Sequence, residues 1–72
     1  MNEDPGSRSK GIAGKIRLLR ESKNYTQEYL AMKLNISQNA YSKIELGYSK
    51  LSVDRLYQIA EVMEVDVNEL LS

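Results

Sequence analysis

The sequence predicts an all-α fold, a small domain of five helices in which the second and third meet at a tight turn. Three observations carry this. Apolar residues recur at helical spacing in successive segments. A hydroxyl or acidic residue able to cap a helix stands just before several of them, at Thr26, Ser37, Ser52 and Asp66. No stretch shows strand-like alternation, an internal repeat or low complexity. With 72 residues, the chain is near the lower limit at which one core holds a fold without staples.

Met1 to Gly11 is polar, carries Pro5, Gly6 and Gly11, and has no apolar periodicity. It is expected to be a flexible N-terminal arm, with the domain occupying residues 12–72. From Ile12 to about Lys23, Ile12, Ile16 and Leu19 recur at i, i+4 and i+7 and form the core-facing stripe of a first helix. Asn24 and Tyr25 break the pattern, and Tyr25 is placed to fold back just before the Thr26 cap as a hydrophobic staple. The second helix runs from Thr26 to about Leu34 and gives Leu30, Ala31 and Leu34 to the core. Ala31 is small enough to let the next helix cross closely.

Asn35 is one of the few residue types besides glycine that accept a left-handed backbone, so it can end that helix and open a turn of about three residues. The third helix starts at its own cap, Ser37, eleven residues after Thr26. The turn of roughly three residues left between the two helices is what helix-turn-helix geometry requires. Within it Tyr41 and Ile44 share one face, Gln38, Asn39, Ser42 and Lys43 point elsewhere, and Gly47 supplies the stop. Tyr48 to Leu51 reads as a loop. Ser52, with Asp54 in the first turn, opens a fourth helix whose stripe is Val53, Leu56, Ile59, Ala60 and Met63, with Tyr57 beside it. Asp66 and Glu69 resemble a capping box and start a short fifth helix with Val67, Leu70 and Leu71. The core is expected from the first four helices.

Composition removes several function classes. The absence of cysteine and histidine excludes zinc fingers, disulfide scaffolds, thiol nucleophiles and histidine-based acid–base catalysis. The acids are spread over helix surfaces and a chain this short hardly builds a closed pocket, so an enzyme is not expected, nor a metal or cofactor. No apolar run approaches eighteen residues and the N-terminus lacks the hydrophobic segment of a signal peptide, which predicts a soluble, cytoplasmic protein. Ten basic and ten acidic side chains cancel, but unevenly. Residues 1–50 hold nine Lys and Arg against five acids, a balance of +4, and residues 51–72 hold one against five, −4. A basic pole and an acidic pole follow.

Thr26-Gln27-x-x-Leu30-Ala31, then Ile36-Ser37-Gln38, then Ser42-Lys43-Ile44-Glu45-x-Gly47 is similar to the lambda-repressor-like helix-turn-helix family, also called Cro/C1 or XRE. The likeness covers about residues 12–71, and its motifs are specific because they fall in register together. It implies a sequence-specific, repressor-like transcriptional regulator whose third helix enters the major groove of double-stranded DNA. Gln38, Asn39 and Lys43, with Ser42 as a weaker candidate alongside Ala40, would then read base edges. Carboxamides pair with adenine and Lys donates to guanine, each good pair discriminating by about 1–3 kcal/mol. Thr26 and Gln27, at the first turn of helix 2, would hold a phosphate, as would Lys50 and Arg20.

Arg20 and Glu45 also fall at positions that commonly form an ion pair in the family, and this structural role ranks above a DNA contact for Arg20. Two departures stand out. Asn35 fills a turn position often held by glycine, and Tyr41 replaces a small aliphatic residue, so its hydroxyl needs a partner, at the surface or on a phosphate. Relatives usually bind palindromic operators as homodimers, for which Val65, Val67, Leu70 and Leu71 are the candidate contact. The alternative is a protein-interaction module of the same fold, antitoxin-like or developmental, that meets a regulatory partner protein through its C-terminal face.

Overall fold

The computed structural model describes residues 5–71. Five helices follow one another: α1 Pro5–Ser22, α2 Gln27–Leu34, α3 Gln38–Glu45, α4 Val53–Met63 and α5 Val67–Leu71. Among the described residues there is no strand. Helix α2 packs against both α3 and α4, α1 against α3 and α5, and α4 against α5. The third helix is thus backed by the first two, and its remaining face is left to solvent.

Three of the chain reversals use one three-residue device. A residue in the left-handed region is followed by an apolar residue and then by a helix cap: Asn24-Tyr25-Thr26, Asn35-Ile36-Ser37 and Glu64-Val65-Asp66, with φ of 61°, 59° and 57° at the first position. In each, the N–H of the apolar residue returns to a carbonyl five residues back, Tyr25 to Arg20 at 3.1 Å, Ile36 to Ala31 at 3.0 Å and Val65 to Ala60 at 3.0 Å. This Schellman closure satisfies carbonyls that a helix end leaves orphaned. Tyr25, Ile36 and Val65 also pack against the core. The next helix is then capped at once: Thr26 Oγ1 accepts from the N–H of Tyr29 and Ser37 Oγ from that of Ala40, both at 3.0 Å. Before α5, Asp66 Oδ1 accepts from the N–H of Asn68 at 2.9 Å, and the N–H of Asp66 donates to Glu69 Oε2 at 3.1 Å. The fourth reversal ends α3 with Gly47 at φ 79° and opens α4 at Ser52, whose hydroxyl accepts from the N–H of Arg55 at 3.0 Å.

The largest fully buried side chains are Tyr41, Ile16, Leu30, Ile59, Met63 and Leu70, drawn from all five helices. Several expectations change. Leu70 shows that α5 also enters the core, which was expected from the first four helices alone. Val53 lies on the apolar stripe of α4 by spacing, yet as the first residue of that helix it is 67% exposed. Ala13, outside the predicted stripe, is buried beside Ile16.

Helix α1 begins at Pro5 rather than Ile12, so residues 5–11 of the expected arm are helical. Proline suits a first helical position because the N–H it lacks would have had no partner, while each interior glycine costs about 1 kcal/mol without blocking the helix. Residues 1–4 of the arm lie outside the described residues. No described helix is long and apolar enough to cross a membrane.

Candidate nucleic-acid interface

Helix α3 divides sharply by face. Tyr41, Ile44 and Glu45 recur at i, i+3 and i+4 and are buried. Gln38, Asn39 and Lys43 are exposed, Ser42 and Ala40 half-buried. Among the described residues, no hydrogen bond or ion pair engages the side chains of Gln38, Asn39 or Lys43. Their donors and acceptors are therefore all free for a ligand at the open face.

The buried face ends in a charged node. Glu45 is the one buried charged residue among those described, at 7% exposure. Its Oε2 accepts from Arg20 Nε at 2.6 Å and from the Tyr41 hydroxyl at 2.5 Å. Its Oε1 accepts from Arg20 Nη2 at 3.1 Å and from Gln27 Nε2 at 3.1 Å. Arg20 also donates through Nη1 to the carbonyl of Tyr25 at 2.8 Å. A carboxylate offers about four lone-pair sites, and four donors occupy them. The guanidinium meets it with two parallel bonds, which only arginine can supply. One node thus joins the end of α1, the turn after it, the start of α2 and the end of α3.

The electrostatics follow from this geometry. Burial alone would raise the Glu45 carboxyl, but the bonds from Arg20, Tyr41 and Gln27 outweigh it and hold the group below its ordinary value. The bond to Glu45 raises Arg20. Tyr41 is pushed far above the usual phenol range, first by burial and then by its bond to Glu45, so it stays a proton donor.

The structure sorts the remaining candidates. Arg20 is turned inward, its side chain only 11% exposed, and is spent on the node, so it is not placed for the DNA-backbone contact considered for it. Gln27 is half-buried with its carboxamide on Glu45, so its side chain is engaged within the protein. Thr26 is exposed and its hydroxyl caps α2. The Tyr41 hydroxyl finds its partner inside the protein, on Glu45, and not at the surface or on a phosphate.

Lys50 is exposed beside a shallow hollow of about 270 Å³ lined by Ile36, Ala40, Ile44, Ser49, Leu51, Ser52 and Arg55. Arg55 was not foreseen as a site residue. It bonds Gln58 Oε1 at 3.1 Å and reaches the Leu34 carbonyl at 3.5 Å, so it lies over the end of α2 and beside the start of α3. Its position in the first turn after the Lys50 loop was the available signal. Of the four candidate dimer residues, Leu70 is removed because it is 1% exposed in the chain's own core. Val65 and Val67 are half-buried against that core, and Leu71 is exposed.

Comparison with known proteins agrees with this architecture. A family model described as helix-turn-helix matches residues 16–70. The HTH-type transcriptional activator BcrR of Enterococcus faecalis is 41% identical over 58 residues, covering 81% of this chain and 28% of that protein. The HTH-type transcriptional regulator AnsR of Bacillus subtilis (strain 168) is 34% identical over 53 residues, 74% of this chain and 46% of its own length. The chain thus spans less than half the length of either relative. Among solved structures, the restriction-modification controller protein C.AhdI from Aeromonas hydrophila superposes with a TM-score of 0.83, over 89% of this chain and 97% of its own, at 22% identity. That likeness is one of fold.

Proposed function

The chain belongs to the helix-turn-helix family of the Cro/C1 type, and on that premise we propose that it is a sequence-specific regulator of transcription. The observation that carries the reading is the divided face of α3: its inner side is tied to α1 and α2 by the Glu45 node, and its outer side presents Gln38, Asn39 and Lys43 unengaged. In the major groove these side chains read bases, with Ser42 at the margin. The capped start of α2, at Thr26 and Gln27, holds one phosphate, and Lys50 with Arg55 holds the backbone on the other flank. Phosphate contacts of this kind set register and carry no sequence information themselves.

One such helix covers only a few base pairs. A second copy of the chain completes a palindromic operator, with half-sites about 34–36 Å apart, and Val65, Val67 and Leu71 are the residues offered for the contact. The output is repressor-like where the operator overlaps a promoter, since binding there excludes the polymerase. The work belongs in the cytoplasm and requires no catalysis. Both curated relatives are transcriptional regulators, which favours DNA over a protein partner as the primary ligand.

Titration of a fluorescent duplex pool at several salt concentrations tests the reading. Binding should prefer some sequences and fall steeply with salt, because phosphate neutralisation releases counterions. Gln38→Ala or Asn39→Ala should relax the preference, and Lys50→Ala should weaken all duplexes alike. Affinity indifferent to both sequence and salt would sink the proposal.

A further inference from the structure

We propose that Tyr41, which faces away from any ligand on the outer face of α3, is a positioning residue that sets how sharply this protein discriminates between DNA sequences. The inference rests on the DNA-reading function above and goes beyond it. Its ring is completely buried, and its hydroxyl makes a bond to Glu45, one helical turn further along the same helix.

The geometry explains what that bond does. Glu45 has three rotatable side-chain bonds, and a carboxylate free to turn could meet Arg20 in several ways. The Tyr41 hydroxyl occupies one lone pair of Oε2 from within α3. The carboxylate is thereby presented in one orientation, with the second lone pair of Oε2 toward Arg20 Nε and both of Oε1 toward Arg20 Nη2 and Gln27 Nε2. Because Arg20 belongs to α1 and Gln27 to the first turn of α2, that single orientation fixes where the end of α3 sits against both.

Gln27 also lies in the turn of α2 that is proposed to hold a phosphate. The node therefore spans the two functions, joining the element that sets register on the backbone to the element that reads bases. Base readout depends on holding side chains within about 0.5 Å of the productive geometry. Without the hydroxyl, Glu45 retains Arg20 and Gln27 and α3 stays folded, but the orientation of the carboxylate is no longer imposed from within α3, so the helix is held less closely in its seat. Contacts to the preferred bases weaken, while phosphate contacts, which tolerate small displacements of flexible cationic side chains, persist.

The test is Tyr41→Phe, which keeps the ring and deletes the hydroxyl. A preferred duplex is first selected with the unaltered protein from a random library. Affinities for it and for a scrambled duplex are then measured in trimethylamine N-oxide, which strengthens burial and keeps variants folded, with folding verified by circular dichroism. The ratio of preferred to scrambled affinity should fall about tenfold, the loss expected when one base pair is misread, with scrambled affinity and its salt dependence unchanged.

Arg20→Lys, which keeps the charge but loses the two-pronged bond, should lower the ratio likewise and serves if Tyr41→Phe does not fold. Ile59→Val, a core substitution in α4 away from the node, is the control for stability and should leave the ratio unaltered. A ratio retained by Tyr41→Phe within about twofold, or an equal loss for both duplexes, overturns the proposal. Lowering of the ratio by Ile59→Val to the same degree does so too, since the effect would then be one of stability. If the unaltered protein selects no duplex at all, it is the DNA-reading function that fails.

Discussion

The inner and outer faces of α3 solve opposite problems with similar chemistry. Inside, four donors converge on Glu45 and leave no buried side-chain polar atom unpartnered among the described residues. Outside, Gln38, Asn39 and Lys43 carry comparable hydrogen-bonding capacity and spend none of it within the protein. A buried polar group must be satisfied or it costs the fold, whereas an exposed one is satisfied by water and can exchange that water for a ligand. Satisfied and unengaged polar groups are thus separated by about half a turn of one eight-residue helix.

The largest break in this contrast should come from Glu45→Ala. It leaves the part-buried Arg20 guanidinium without its counter-charge, and the loss should be about 3 kcal/mol, the low end for a broken buried pair, read from urea unfolding. Acid should erode the same contribution reversibly. Glu45 is held below its ordinary value in the folded chain, so the stability it gives is fully present above the 4.5 of a free glutamate and is lost as pH falls through the depressed folded value. The urea midpoint of the unaltered protein should therefore drop with acidification in that range. Glu45→Gln should flatten that dependence, and a variant with the slope unchanged would place the acid sensitivity elsewhere.

A smaller effect sharpens the comparison by leaving α3 alone. Glu64 holds a left-handed conformation that disfavours any side chain with a Cβ, so Glu64→Gly should stabilise the chain by about 0.5–1 kcal/mol, net of the entropy glycine adds to the unfolded state. The smallest change belongs to the outer face. Gln38→Ala and Asn39→Ala should move unfolding stability by less than about 0.5 kcal/mol while altering sequence preference, and a larger loss of stability would show the outer face to be structural after all.

What could be read from the sequence was what depends on local spacing. Thr26, Ser37 and Ser52 cap helices because a hydroxyl at a fixed distance from a free N–H needs no information from elsewhere. Asn35 was legible for the same reason, as its short side chain tolerates the left-handed turn. Glu64 was not, because glutamate carries no such preference and the turn is imposed by the packing of Val65. The Arg20–Glu45 pair came only through the likeness to a family, its members standing 25 residues apart. Gln27 as a further partner of Glu45 was beyond reach, since that contact exists only once the helices have docked. Tyr41, by contrast, stands one turn before Glu45 on α3, a spacing that was visible but was passed over in favour of a partner at the surface or on a phosphate. The role of Leu70 was misjudged because spacing shows which residues are apolar but not which neighbour covers them.

The three-residue closures between helices bear on time as well as shape. Each helix end is tied off by a bond spanning five residues, and each following helix is started within two residues of the closure. The chain can thus commit to most of its reversals through neighbours in sequence, at little loop-closure cost. Only the node and the apolar core require distant segments to find one another. Such a pattern belongs to proteins that fold in microseconds to milliseconds. A domain assembled this way regains its shape almost as soon as it is released, whether from the ribosome or from a transient unfolding.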